Sequence, residues 1–276
     1  MKKTSEIWRM IGISLSVIFT VFWLLPYIYV ACSAFKPSAD VIAVPPTFFP
    51  QTFSIENFEM LFQRSDTPKY LFNSFITSLA STSVALILGS LAAYAIQRSG
   101  AKISVLLVVL ILCLKMIPIS SIVVPIYDLI CKMGLYDTRT ALIIVYAAIH
   151  MPFVMWMMLS FYSGIPKMLD EAALIDGANS LQIYTKIILP IAKPGLTAAF
   201  IFTFFLAWND FLISLLLTSM NAKTFTVNLA GFLSAYGIDL GAMCAGAFIF
   251  SFPVILITTK LQKHIVQGMT AGAVKG

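Results

Sequence analysis

Six long apolar runs, set apart by short polar stretches, organise the chain: Ile7 to Ala34, Tyr70 to Gln97, Ile103 to Leu129, Thr140 to Tyr162, Gly195 to Met220 and Gly241 to Leu261. At about 1.5 Å per residue each run is long enough to cross a hydrocarbon core roughly 30 Å thick as a helix. The runs are continuously apolar and lack the alternation of membrane β-strands, so the expected fold is an all-α integral membrane protein with six transmembrane helices. The first run follows Lys2 and Lys3, as a secretory signal would. It exceeds the roughly 7 to 15 apolar residues of such a signal, and Tyr29 is a poor neighbour for a lipoprotein-type cleavage before Cys32, so it reads as an uncleaved span.

The polar stretches carry elements of their own. Prolines at 37, 45, 46 and 50 exclude a long helix after the first run. Further on, Ser54 is placed to cap a short amphipathic helix with Phe58, Leu61 and Phe62 on one face. Residues 163–194 form a polar insert between two spans. Within it Pro166 suits a helix start, Asp170 and Glu171 lie near the positive end, and Met168, Ala172 and Ile175 share a face. Gly177 is able to take the positive φ that ends a helix. Ser180 then caps a second helix with Leu181, Tyr184, Ile187 and Ile188 on one side, which Pro190 and Pro194 end.

Composition agrees with the pattern: the 276 residues are 59% hydrophobic and 11% charged, with mean hydropathy +0.92. With the N-terminus inside, eleven Lys and Arg fall on the cytoplasmic side against six outside, and Lys115 lies within a span. Both termini are therefore expected in the cytoplasm, and residues 35–69 and 221–240 outside. The net charge of +6 is largely this inside bias and calls for no nucleic-acid partner. Cys32, Cys113, Cys131 and Cys244 are scattered, and His150 and His264 belong to no ligand cluster, so no metal site is expected. The chain holds no GxxxxGK[ST] loop and no nucleophile–base spacing, so neither nucleotide binding nor catalysis is expected of it.

Ionisable groups inside spans are the remaining chemistry, each costing about 2.5 to 3.5 kcal/mol to insert. Lys115 falls about 18 Å, and Asp210 about 22 Å, from the cytoplasmic start of its run, near enough in depth to meet. Two readings stand. The two pair with each other or with backbone carbonyls and hold spans together, or Trp208, Asn209 and Asp210 line a pathway where amide and carboxylate bond sugar hydroxyls and the indole stacks on a pyranose ring, with a free Lys115 favouring an acidic sugar.

Glu171-Ala172-Ala173, then Gly177, then Ile187-Ile188-Leu189-Pro190 after nine residues, resembles the EAA signature of bacterial ABC importer permeases. It stands before the penultimate span, where that family has it. Asn73-Ser74, Ala92-Ala93-Tyr94-Ala95, Pro118, Pro125-Ile126-Tyr127, Leu135-Tyr136-Asp137-Thr138, Trp208-Asn209-Asp210 and the closing Gly272-Ala273-Val274-Lys275-Gly276 extend the resemblance to the carbohydrate branch. Within it the chain is similar to the maltose-type second permease.

The resemblance implies a single transmembrane permease domain over 1–276. Span 1 (7–34) is a peripheral brace, 70–261 the transport core, 163–194 the coupling loop and 262–276 a cytoplasmic tail. It implies a partner permease, often a different chain, two ATPase subunits that bind ATP and Mg, and an external sugar-binding protein, in a bacterial inner membrane; the chain itself needs no cofactor. Glu171, Ala172, Ala173, Asp176, Gly177, Leu189 and Pro190 would meet the ATPase, and the tail Gly272 to Gly276 would reach toward the ATPase interface. A different class stays open beside it, an ion-coupled secondary transporter using Lys115 and Asp210.

Overall fold

The computed structural model describes residues 2–99, 102–234 and 237–271. The tail residues Gly272, Ala273, Val274, Lys275 and Gly276 lie outside the described residues. Four helices are long and apolar enough to cross a membrane unbroken: Arg9–Ala34 within Lys2–Ala34, Thr67–Ser99, Arg139–Ser163 and Leu240–Leu261 within Leu240–Ala271. Two bent helix pairs bring the total to as many as six.

The third run is one of these pairs. Lys102–Met116 and Ile119–Lys132 meet at a bend of 92°. Pro118 is the cause, because it offers no N–H and forces Ile117 out of helical geometry. Its extended backbone, φ −62° and ψ 129°, then starts the second half.

The fifth run is also interrupted. Helix Lys193–Trp208 stops at Asn209, and Leu212–Leu217 follows as a separate helix. Ahead of it, Ser180–Ile191 joins Lys193–Trp208 at a bend of 79°. Pro190 therefore does not end the insert's second helix, contrary to expectation. A π turn at Tyr184–Ile188 precedes it, in which Leu189 N–H bonds back to the Tyr184 carbonyl, and the chain passes Pro190 to Ile191. A widened turn of this kind absorbs an irregularity without breaking the helix.

Among the described residues, those up to Pro68 together with Asn228–Phe252 form one compact unit, and Lys69–Val227 with the residues from Pro253 onward form another. In the first unit the apolar window of the opening helix has none of its residues buried. The expected amphipathic helix is present as Glu56–Arg64, and Ser54 Oγ accepts the Glu56 N–H at 3.2 Å. Leu61 is buried and Phe62 exposed. Asn57, unremarked in the sequence, is fully buried and donates through Nδ2 to the carbonyls of Ser33, Ala34 and Lys36 at 3.3, 3.2 and 2.7 Å. The Ser33 and Ala34 carbonyls stand at the C-terminal end of the opening helix, where intrahelical donors run out, and that of Lys36 follows just beyond it. Leu233–Ser234 and Gly237–Ile238 pair as a short antiparallel ladder.

In the second unit Arg139–Ser163 packs along Lys193–Trp208 around Ala85, Ala93, Val154, Met158, Ile188 and Ala199. Small residues suit this core, because helices in lipid gain from close van der Waals approach and not from escaping water. Gly195 shows how close: a Cβ there would stand 2.4 Å from the Phe161 ring.

Candidate coupling site and its surroundings

The polar insert folds into the helix, glycine turn and helix expected of it. Helix Met168–Ile175 carries Asp170 and Glu171 in its first turn, where the partial positive charge of the helix end favours carboxylates. Gly177 follows at φ +84°, with its N–H on the Leu174 carbonyl at 3.0 Å. Ala178 N–H reaches the Ala173 carbonyl at 2.9 Å, so the pair of bonds closes the helix end. The next helix is capped by Asn179, not by Ser180. Its side chain accepts the Gln182 N–H while Gln182 Oε1 accepts the Asn179 N–H, each at 2.9 Å. The reciprocal geometry satisfies two donors at once, which Ser180 cannot do from inside the helix.

One acid anchors the insert. Asp170 Oδ2 lies 2.9 Å from Arg98 Nη2, both side chains are largely shielded, and the Tyr94 hydroxyl donates to Asp170 Oδ1. Arg98 also donates to the Ile165 carbonyl at 3.2 Å and lies over the Tyr94 ring at 5.7 Å. Tyr94 and Arg98 belong to Thr67–Ser99, so the C-terminal end of that span holds the insert by its first turn. Neighbouring Tyr184 is buried, its hydroxyl 2.8 Å from Ser90 Oγ. Ala173 packs inward. Glu171, Ala172, Asp176, Gly177 and Pro190 are exposed and Leu189 is half-buried.

Large apolar side chains stand exposed beside Glu171 and Asp176. Met168 is 72% exposed, Ile175 87%, and Leu174 and Leu181 more than half. A cleft of about 750 Å³, walled by Tyr94, Arg98, Lys167, Asp170, Leu174 and Leu181, runs beside it. A fixed turn, an ionically anchored base and a bare apolar crown make a knob able to transmit force to a partner.

Lys115 and Asp210, near enough in depth to meet, each bond other groups, with Lys115 on a backbone carbonyl as one of the sequence readings had it. Lys115 Nζ donates to the Ile149 carbonyl at 3.0 Å and lies 5.7 Å over the Phe153 ring. Asp210 Oδ1 accepts the Tyr146 hydroxyl at 2.9 Å and the N–H groups of Ile213 and Ser214, each at 3.2 Å. Both charges thus use helix Arg139–Ser163 but different turns of it, and no ion pair joins them among the described residues. Asp210, one residue ahead of the Phe211 that precedes Leu212–Leu217, thus satisfies two N–H groups in the first turn of that helix. Asn209 N–H and Nδ2 both bond the Phe205 carbonyl, at 3.1 and 2.9 Å, closing the helix before it. Two polar side chains that bond local backbone compete with a continuous helix, and here they interrupt the run. Trp208 is buried, stacked on Phe204 at 5.6 Å, whereas Asn209 is exposed.

Comparison with known proteins adds to this geometry. The family model described as binding-protein-dependent transport system inner membrane component matches residues 85–271. A probable ABC transporter permease protein of Sinorhizobium fredii is 35% identical over 94% of this chain and 95% of its own length. The trehalose transport system permease protein of Mycobacterium tuberculosis is 35% identical, covering 92% of this chain and 93% of that one. Among solved structures, a chain of a bacterial ABC transporter that imports the acidic polysaccharide alginate superposes with TM-score 0.74 at 21% identity, covering 94% of this chain and 97% of that one.

Proposed function

The chain belongs to the family of binding-protein-dependent transport system inner membrane components, the membrane-spanning permeases of ABC importers, and we propose that its cargo is a sugar or oligosaccharide handed over by an external binding protein. Met168–Ile175 is the coupling helix. It seats on a separate ATPase subunit that binds ATP and Mg, one of two beneath a pair of permeases, and this chain hydrolyses nothing. Glu171, Ala172, Ala173, Asp176, Gly177, Leu189 and Pro190 form the contact, the tail Gly272 to Gly276 assists it, and both termini are cytoplasmic. Asn209, and Lys115 on the neighbouring run, face the pathway, with Asp210 and Trp208 shaping its wall.

The observation that carries the coupling role is the exposed crown of Met168, Leu174 and Ile175 on a helix anchored through Asp170 and Arg98. Apolar side chains so exposed at a water-facing loop are expected where another protein covers them. The sugar rests on relatives, among them the trehalose transport permease of Mycobacterium tuberculosis and a trehalose/maltose transport permease of Thermococcus litoralis, 34% identical over 95% of this chain and 95% of its own length. An ion-coupled transporter built on Lys115 and Asp210 loses its footing when the two bond different groups.

The test is affinity purification of the tagged chain in mild detergent, with every accompanying polypeptide identified by mass spectrometry. A P-loop ATPase and a second permease accompany the native chain, and Gly177→Pro releases the ATPase while staying in the membrane. Proline cannot adopt φ +84° and removes the N–H on Leu174, a loss of about 3 kcal/mol or more confined to the knob. Retention of the ATPase by Gly177→Pro, together with undiminished uptake, would sink the coupling assignment.

A further inference from the structure

Outside the membrane, residues 218–227 make no regular structure until Phe225, yet a run of their N–H groups and two of their carbonyls are engaged within the chain. The N–H groups of four successive residues, Ser219, Met220, Asn221 and Ala222, converge on the Asp137 carboxylate at 2.9 to 3.1 Å, and Asn221 Nδ2 joins them at 3.1 Å. Successive N–H groups curled round one point form a nest for an anion, and this nest is filled by the chain's own side chain. Asp137 takes φ +57° to reach it, a conformation that Asp tolerates better than most residues, and its N–H bonds the Leu217 carbonyl at 3.0 Å. Burial pushes its carboxyl up, but the N–H groups of Ala222, Ser219, Asn221 and Met220 outweigh that and hold it down at about 2.

The carbonyl side of the same stretch is held by a second group. Asn73 Nδ2 donates to the carbonyls of Asn221 and Lys223, both at 2.9 Å, while Asn73 Oδ1 accepts Arg139 Nε at 2.7 Å. Ser74 Oγ accepts the Phe225 N–H at 2.9 Å, and Thr226 Oγ1 donates to the Asp210 carbonyl at 2.7 Å. Asn73 and Ser74 lie near the start of Thr67–Ser99, and Arg139 opens Arg139–Ser163. The outer ends of these two spans and the connection that follows Leu212–Leu217 are therefore one hydrogen-bonded body.

We propose that Asp137 is a positioning residue of transport: as the internal anion of the 219–222 nest it makes the outer connection move rigidly with the two spans, so that their reorientation is passed on and not absorbed in a loose loop. This rests on the transport reading above, and the experiment separates the two. In the reconstituted importer, sugar uptake is read beside the rate of external trypsin cleavage at Lys223, whose carbonyl Asn73 holds and whose ammonium lies 5.7 Å over the Tyr70 ring.

Asp137→Gly removes the anion without straining the positive φ. The expected result is an uptake rate lower by at least about tenfold and cleavage at Lys223 faster by a similar factor, as befits loss of charge-assisted hydrogen bonds. Added acetate or formate, against chloride at equal ionic strength, refills the nest and restores both. Asp137→Asn, which keeps one acceptor oxygen, falls between. Native-like uptake and protection in Asp137→Gly would overturn the proposal, as would lost uptake with Lys223 still protected, or failure of both small carboxylates to restore either reading. Should Asp137→Gly not reach the membrane, Asp137→Asn decides, and native behaviour on both readings counts against the proposal. If the sugar tried is not carried even by the native complex, Lys223 protection still judges Asp137 by itself.

Discussion

The insert around Met168–Ile175 and the outer connection 218–227 are both polar interruptions in an apolar chain, but they are finished to different degrees. The outer connection passes its N–H groups to Asp137 and Ser74 and its carbonyls to Asn73, all within the chain. The insert is held by the Asp170 ion pair and by the packing of Ala173 and Tyr184, and leaves Met168, Leu174 and Ile175 bare. A stretch whose N–H groups converge on its own chain is suited to holding shape, whereas an anchored base under uncovered apolar side chains is what the coupling reading proposed above requires. The two ends of the membrane domain are thus built on opposite principles, and perturbing each anchor should expose the difference.

Asp170→Ala is expected to have the largest effect on the chain's own stability. It leaves Arg98 largely shielded with no counter-charge and strips Tyr94 of its acceptor, a loss of about 3 kcal/mol. Denaturant unfolding of the detergent-solubilised chain measures it, and ATPase retention in the same preparation should fall with it, because the base of the knob is released. Asp170→Asn, which keeps an acceptor for Tyr94, should recover part of both. Native stability in Asp170→Ala would mean that packing of Ala173 and Tyr184, and not the ion pair, fixes the insert.

A smaller effect separates the two readings of Asp210. Because Asp210 accepts two N–H groups in the first turn of Leu212–Leu217, as a capping side chain does, its replacement by Ala should cost about 1 kcal/mol, and by Asn only a few tenths. If capping is its whole contribution, uptake follows stability in both variants. An Asp210→Asn chain of native stability with altered sugar range would show that the carboxylate also meets cargo.

What was legible in the sequence divides along the same physical lines. The apolar runs, the glycine turn at Gly177 and the helix pair of the insert depend on local pattern and backbone chemistry, and they stand where expected. The breaks at Pro118 and at Asn209-Asp210 were hidden because hydropathy averages over single polar residues, although Pro118 carried the signal in its missing N–H. Asp210 looked like pathway chemistry because an acid within an apolar run is costly, but that cost is equally met by N–H groups in the first turn of a helix and by Tyr146. The side-chain hydrogen-bond partners of Arg98, Asn57 and Asp137 lie at least 19 residues away in sequence, and nothing local announces them. For Asp137 a hint existed, since an Asp directly before the Thr138 that caps Arg139–Ser163 suits a tight left-handed turn.

The smallest expected effect is an absence of response, and it bears most directly on the contrast. The Asp137 carboxyl, ordinarily at 3.8, is held at about 2 in the folded chain. A carboxyl depressed on folding contributes stability that is fully present above its ordinary value and is lost only as pH falls through the folded one. The outer connection should therefore keep constant protection of the Ser219 to Ala222 amides between about pH 4 and about pH 8, once intrinsic exchange is divided out, and lose it only toward about pH 2. Hydrogen exchange of the reconstituted chain reads this. In Asp137→Asn the protection should be lower throughout and show no such acid step. A midpoint near the ordinary carboxyl value in the native chain would mean that the four N–H groups do not close on the ionised side chain, and the outer connection would then be as dependent on a partner as the insert is.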